Sequence, residues 1–186
     1  MNNLKVGYAK VNINPMLGIH IRGYYVPRYA KGFIDDLEAH AIALNCGEET
    51  VLMISVDTCY IIETICDKYL EKISKATGID KDKIFLSATH THTGPDLEDD
   101  FESDGNNDDA KKYTHFLGER LADLSVMALN DLKPAKMGFI EGVAPDRVAY
   151  IRRYKMKDGT TCTCPPINDP NIDHPIGTLD QRVHIL

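Results

Sequence analysis

Residues 50–92 predict an α/β fold: a mixed β-sheet containing a parallel β-α-β unit, with helices flanking it. Three observations carry this. Residues 50–56 are almost continuously apolar (Val51, Leu52, Met53, Ile54, Val56), the pattern of a strand inside a sheet. Residues 60–76 then place Ile62, Ile65, Tyr69, Ile73 and Ala76 on one helical stripe, as an amphipathic helix requires. A second short apolar run, Ile84-Phe85-Leu86, follows. Strand, helix and strand in succession make the two strands parallel, and ligands of such sheets gather beyond the carboxyl ends of the strands. Asp57 and His90 stand at those two ends.

The totals narrow the function classes. A length of 186 residues suffices for one domain with a real core, or for part of a larger one. Hydrophobic content of 43% and charged content of 26% describe an ordinary globular chain. A net charge of −7 and a pI near 5.4 argue against nucleic acid or an anionic membrane as the main partner. No basic segment followed by an apolar one opens the chain, and no run is long enough to span a bilayer. The five cysteines (Cys46, Cys59, Cys66, Cys162, Cys164) are odd in number and read as reduced thiols of a cytoplasmic protein rather than a disulfide framework.

Taken in order, residues 4–13 alternate apolar with polar (Val6, Tyr8, Val11, Ile13) and predict a first strand, closed by Asn14-Pro15. Residues 15–31 form a long loop whose three tyrosines and two arginines favour a functional role. A second strand spans 37–45, and Cys46-Gly47-Glu48-Glu49 reads as a hairpin turn. The third strand, 50–56, is expected to be covered on both faces. Thr58 is a candidate N-cap for the helix over 60–76, and Gly78 its stop. Residues 96–109 hold eight acids and no Lys or Arg, and read as a solvated loop rimming the site. Within them Asp100-x-Glu102-x-Asp104-Gly105 looks like the start of a calcium loop, but Lys111 stands where the bidentate acid belongs.

A second helix over 110–130 has the seam Ala110, Tyr113, Leu117, Leu121, Leu124 and Ala128, with His115 off it and exposed. Strands are expected over 136–143 and 148–156, Asp158-Gly159 turning the latter back. Arg152 and Arg153 are consecutive, so in a strand one of them looks toward a pocket while the other is solvated. Cys162-Thr163-Cys164 and His174 fall in a proline-rich loop and are read as loop thiols and a histidine without a special role. Residues 182–186 open a further strand, whose uncovered edge invites pairing with a second copy.

The chemistry concentrates in Ser87-Ala88-Thr89-His90-Thr91-His92-Thr93-Gly94-Pro95. In an extended segment, residues two apart point to one side with Cα atoms about 6.6 Å apart. Imidazoles so placed reach a single cation at about 2.0–2.1 Å each. The hydroxyls of Thr89, Thr91 and Thr93 are candidate acceptors for the second ring N–H of a ligand histidine. Two surface histidines at a strand end are the alternative. Asp57 is either an acid that orients a histidine or a helix cap.

This motif is similar to that of the neutral/alkaline non-lysosomal ceramidase family, toward the N-terminus of its catalytic domain. Other segments resemble that family in the expected order: Val6 to Pro15, Gly23-Tyr24, Asp35-Asp36-Leu37, Val56-Asp57 and Arg152-Arg153-Tyr154. The resemblance implies that residues 1–186 are the N-terminal part of one larger, layered catalytic domain. It implies a zinc amidohydrolase of sphingolipid metabolism that cleaves N-acyl amide bonds with metal-activated water. His90 then matches a metal ligand, and His92 a second motif histidine beside the metal with a catalytic part. Arg152 matches the arginine of an Asn-Arg motif, although Ile151 replaces the asparagine. The family's second metal histidine, its Glu and Tyr ligands and its serine lie beyond this chain, so the zinc site is expected to be incomplete here. A lipid or small-molecule amide is the expected substrate. The alternatives are a metal-dependent amidase or esterase acting on a small non-lipid substrate, and a non-catalytic fragment of such an enzyme.

Overall fold

A computed structural model describes residues 4–98, 108–145 and 148–186, and its contacts divide into two compact units, Met1–Ala135 and Lys136–Leu186. The first unit runs β1 (Leu4–Asn12), β2 (His20–Ile21), β3 (Arg28–Tyr29), β4 (Glu38–Cys46), β5 (Glu49–Val56), α1 (Glu63–Thr77), β6 (Ile84–Ala88), α2 (Asp108–Asn130) and β7 (Lys133–Pro134). Five of these strands make one sheet in the order β6-β5-β4-β1-β7. Only β5 and β6 pair in parallel; the remaining neighbours are antiparallel. The mixed sheet and the β-α-β unit are thus both present.

Local chemistry explains the connections. Gly47, the first of two residues between β4 and β5, has φ +67°, which glycine adopts without a Cβ clash in a tight hairpin. Gly78 ends α1 in the left-handed region and donates its N–H to the Ser74 carbonyl at 2.8 Å, a standard glycine stop. The helix begins at Glu63, later than its apolar stripe predicts. Ile62 occupies the cap position without a side-chain hydrogen bond, and Thr58 is instead a buried residue of the preceding turn.

Both helices cover the same face of the sheet. Ala9, Val11, Ala41, Ala43, Leu52, Ile54 and Val56 meet Ile65, Tyr69 and Ile73 of α1 and Tyr113, Leu117, Leu121 and Leu124 of α2. Each large aliphatic chain buried here contributes about 1.5–3 kcal/mol. The two core phenols are satisfied as they are buried: Tyr69 donates to the Thr114 carbonyl at 2.8 Å, and Tyr113 to the Ile13 carbonyl at 2.6 Å. Burial raises both above the ordinary tyrosine pKa, since the charged form loses its hydration. The seam of α2 is buried as the periodicity requires, and His115 is exposed.

Small residues on β1 and β4 let α2 lie close. A Cβ added at Gly7 would stand 2.0 Å from the Ala128 carbonyl oxygen.

The opposite face contradicts the expectation for the third strand. β5 is interior to the sheet, and among the described residues of this unit the helices cover one side of it only. Tyr8, Ile42, Met53 and Phe85 pair across β1, β4, β5 and β6, and all four are exposed on that outer face. The continuous apolar run in β5 arises because the outer face is apolar too, not because helices cover both faces. No helix among the described residues is long and apolar enough to cross a membrane.

The second unit holds β8 (Ile140–Val143), β9 (Arg153–Met156), β10 (Thr161–Thr163), β11 (Ile172–Pro175) and β12 (Arg182–Ile185). They form an antiparallel sheet β10-β9-β11 and a pair β12-β8. Gly159, at φ +88°, turns β9 into β10 as Asp158-Gly159 predicts. Cys162 lies in β10 and His174 in β11, so the segment expected to be loop is ladder. The terminal strand pairs with β8 along one edge. The calcium-like stretch 100–105 lies outside the described residues.

Gly7→Ala is expected to destabilise the protein by about 1–3 kcal/mol, lowering the thermal midpoint by roughly 2–12 °C. Gly32→Ala, where an added Cβ meets nothing within 4 Å, should leave it nearly unchanged. Thermal unfolding followed by circular dichroism checks both.

Candidate metal centre

Parallel pairing brings the two strand ends together. Val56 stands opposite Ala88, and the Thr89 N–H still donates to the Val56 carbonyl at 2.9 Å. Asp57 then ties three elements at this edge. Its Oδ2 accepts the Glu38 N–H at 3.0 Å, and its Oδ1 accepts the Thr89 hydroxyl at 3.1 Å. Neither expected role for Asp57 is seen: the carboxylate braces the strand ends rather than holding a histidine or capping α1.

Beyond Thr89 the chain leaves extended geometry. His90 has φ +62°, a left-handed conformation costing on the order of 1–3 kcal/mol in a residue other than glycine. This turn folds the His90 ring over the start of the β5–α1 connection, where Nδ1 lies 2.7 Å from the Cys59 carbonyl oxygen. A carbonyl only accepts, so Nδ1 carries the hydrogen and Nε2 keeps its lone pair. His92 Nε2 lies 3.3 Å from His90 Nε2, with the ring planes at 74°. Two ligand bonds of about 2.05 Å at a tetrahedral angle separate their donor atoms by about 3.3 Å. The pair therefore fits a cation.

Convergence of the two rings thus depends on a left-handed turn, not on the i, i+2 alternation of a strand. The threonines also act differently from expectation. Thr89 serves Asp57, while the Thr91 and Thr93 hydroxyls bond each other at 2.8 Å. The ring N–H of His90 goes to a backbone carbonyl, which is a common partner for a ligand histidine.

Cys59 is the residue that sequence reasoning missed. One donor atom from each of Cys59, His90 and His92 lies within 4.8 Å of the others. The thiol is buried, with Sγ 4.0 Å from His90 Nδ1. Burial raises its pKa, Arg22 works in the opposite sense, and Asp96 adds to the rise. The available signal was its place two residues past Asp57, in the connection at the strand ends.

The loop between β1 and β4 is stitched to the segment after the histidines. Arg22 N–H donates to the Gly94 carbonyl at 3.1 Å and Asp96 N–H to the His20 carbonyl at 3.0 Å, flanking a bridge between Ile21 and Pro95. Asp96 is buried, contrary to the solvated acidic loop expected there. Its Oδ2 lies 3.0 Å from Arg22 Nη1 and 3.3 Å from His20 Nδ1; an unpaired carboxylate at this depth would cost several kcal/mol. The stitching brings Gly23 (φ +102°) against His92, where an added Cβ would stand 2.5 Å from the ring. Tyr24 packs edge-on to His92 with centroids 6.0 Å apart, and the Arg28 guanidinium lies 4.1 Å from the centre of the Tyr24 ring. Beside this loop a cleft of about 360 Å³ is lined by Ile19, Ile21, Phe33, Arg28, Asp35 and Thr93, among others.

Arg152 belongs to the second unit and is exposed, just ahead of β9. It is outside the strand, so the alternation argued for Arg152 and Arg153 does not apply; both side chains are exposed. Its carbonyl accepts the Cys164 N–H at 2.7 Å.

No family model matches the chain, and no curated protein matches it in sequence. Solved structures do. The fold is similar to that of neutral ceramidase from Pseudomonas aeruginosa, with a TM-score of 0.66 and 16% identity over 85% of this chain and 25% of that one. A structure described as ceramidase complexed with C2 gives a TM-score of 0.63 and 16% identity, over 84% and 25% of the two chains. At such identity the likeness is one of fold, and this chain spans a quarter of the length of those proteins.

Gly23→Ala should push the His92 ring from its place while leaving the core intact. The imidazole ¹H–¹⁵N signals of His92 are expected to shift in the variant while its circular dichroism stays unchanged, and His92 signals identical to those of the wild type would contradict the contact.

Proposed function

We propose that this chain is the N-terminal part of a ceramidase-type catalytic domain, and that the domain is a zinc-dependent hydrolase of N-acyl amide bonds. The observation that supports this best is the facing pair of imidazole nitrogens at 3.3 Å, one of them fixed in its tautomer by the Cys59 carbonyl, in a fold shared with neutral ceramidases. Zinc, when bound at such a site, supplies Lewis-acid activation of water at neutral pH.

The chain's own residues divide the remaining work. His90 and His92 hold the metal through Nε2. With Nε2 given to the metal, His92 keeps no lone pair to take a proton, and its part in the chemistry is to position the attacking water. A hydroxyl or guanidinium must face the amide oxygen as negative charge builds on it. Tyr24, packed against His92, is the donor for this within the first unit. The cleft beside Thr93 takes the acyl group against Ile19, Ile21 and Phe33.

A second reading keeps the chemistry and changes the substrate to a small non-lipid amide or ester. It is favoured by the charged residues Arg28, Asp35 and Asp36 along the same cleft, which suit a polar group better than a long alkyl chain.

Purified protein is expected to carry about one zinc per chain by elemental analysis, and His90→Ala to abolish it. Preparations free of bound metal that also fail to take up added zinc would defeat the proposal. Hydrolysis assayed in parallel on ceramide and on short N-acyl amides decides between the substrate readings.

A further inference from the structure

We propose that the Cys59 thiol is itself a metal donor, so that Cys59, His90 and His92 form a three-ligand site contained within this chain. The inference rests on the metal reading of the two histidines and extends it to a residue outside the histidine motif.

Four observations carry it. The three donor atoms already lie within 4.8 Å of one another. In a tetrahedral zinc site, sulfur and nitrogen donors stand about 3.6 Å apart, so the three donors draw together when a metal enters, the sulfur moving by its single χ1 torsion. The Cys59 backbone cannot drift from the site, because its carbonyl holds the His90 ring at 2.7 Å. Finally, the thiol faces His90 Nδ1 at 4.0 Å, and that nitrogen's hydrogen is committed to the carbonyl. The sulfur is thus buried beside the two imidazoles without a good acceptor there.

Binding replaces the S–H bond by a metal–sulfur bond and releases one proton to solvent. Three protein donors and one open position is the format of catalytic zinc sites. A thiolate among them biases the site toward zinc and cobalt and against magnesium and calcium, which prefer oxygen.

Cobalt(II) added to the full chain reads the donor set directly. The proposal expects visible bands of tetrahedral cobalt together with a near-ultraviolet sulfur-to-cobalt charge-transfer band. Cys59→Ser should lose the charge-transfer band and weaken zinc binding by more than about 100-fold, beyond what a supporting hydrogen bond costs. Its circular dichroism and metal-free thermal midpoint serve as the folding control. X-ray absorption of the zinc-loaded wild type, which needs no variant, should show one sulfur at about 2.3 Å. Cobalt bound with visible bands but no sulfur band, or a zinc shell of nitrogen and oxygen alone, overturns the role of Cys59 and leaves the histidine reading standing. A charge-transfer band that survives in Cys59→Ser also overturns it, by assigning the sulfur to another cysteine. Failure to bind either metal overturns both readings.

Discussion

Because Val56 and Ala88 are partners in a parallel ladder, the connection leaving β5 and the segment leaving β6 emerge side by side at one edge of the sheet. Everything proposed for the site follows from that adjacency. It places the Cys59 carbonyl under the His90 ring, and the 2.7 Å hydrogen bond between them sets which nitrogen of His90 is free. That same contact helps offset the left-handed backbone of His90, a conformation that local preference alone disfavours. Asp57 reinforces the edge by accepting from both neighbouring strands. Strain at a histidine, supported by hydrogen bonds on either side, is the pattern expected where geometry serves chemistry rather than stability.

Much of the architecture is legible in the sequence alone. The seam of α2, the glycine stop of α1, the hairpin at Gly47 and the parallel β-α-β unit each depend on short-range periodicity or turn chemistry. Such signals survive in a single sequence. Coverage of the sheet was not readable in this way. An apolar outer face, with Tyr8, Ile42, Met53 and Phe85 in one rank, makes β5 look doubly buried, since hydrophobicity at alternate positions does not say what lies opposite. Short strands in the second unit were misplaced for a related reason: Cys162 and His174 sit among prolines that mask a narrow ladder.

The site was legible in its members and not in its geometry. Two histidines two residues apart are the side chains that the structure brings together, but the assumption of an extended segment gave the wrong cause for their meeting. A left-handed residue leaves no mark when it is histidine rather than glycine. Cys59 and Gly23 were invisible as site residues because each reaches the imidazoles from a segment distant in sequence: one through the β5–α1 connection, the other through a loop stitched to residues 94–96. Asp96 belongs to the same class. It lies in an acidic run that composition assigns to solvent, yet it is buried between Arg22 and His20 and anchors that loop.

Whether the facing imidazoles grip a metal is the question on which the functional account turns. Long-range ¹H–¹⁵N NMR of the imidazole nitrogens, recorded through a zinc titration, answers it at the level of single atoms. The account predicts that Nε2 of His90 and Nε2 of His92 shift together to saturation at one zinc per chain, while His90 Nδ1 stays protonated throughout. Imidazole signals of His90 and His92 that ignore zinc would contradict it.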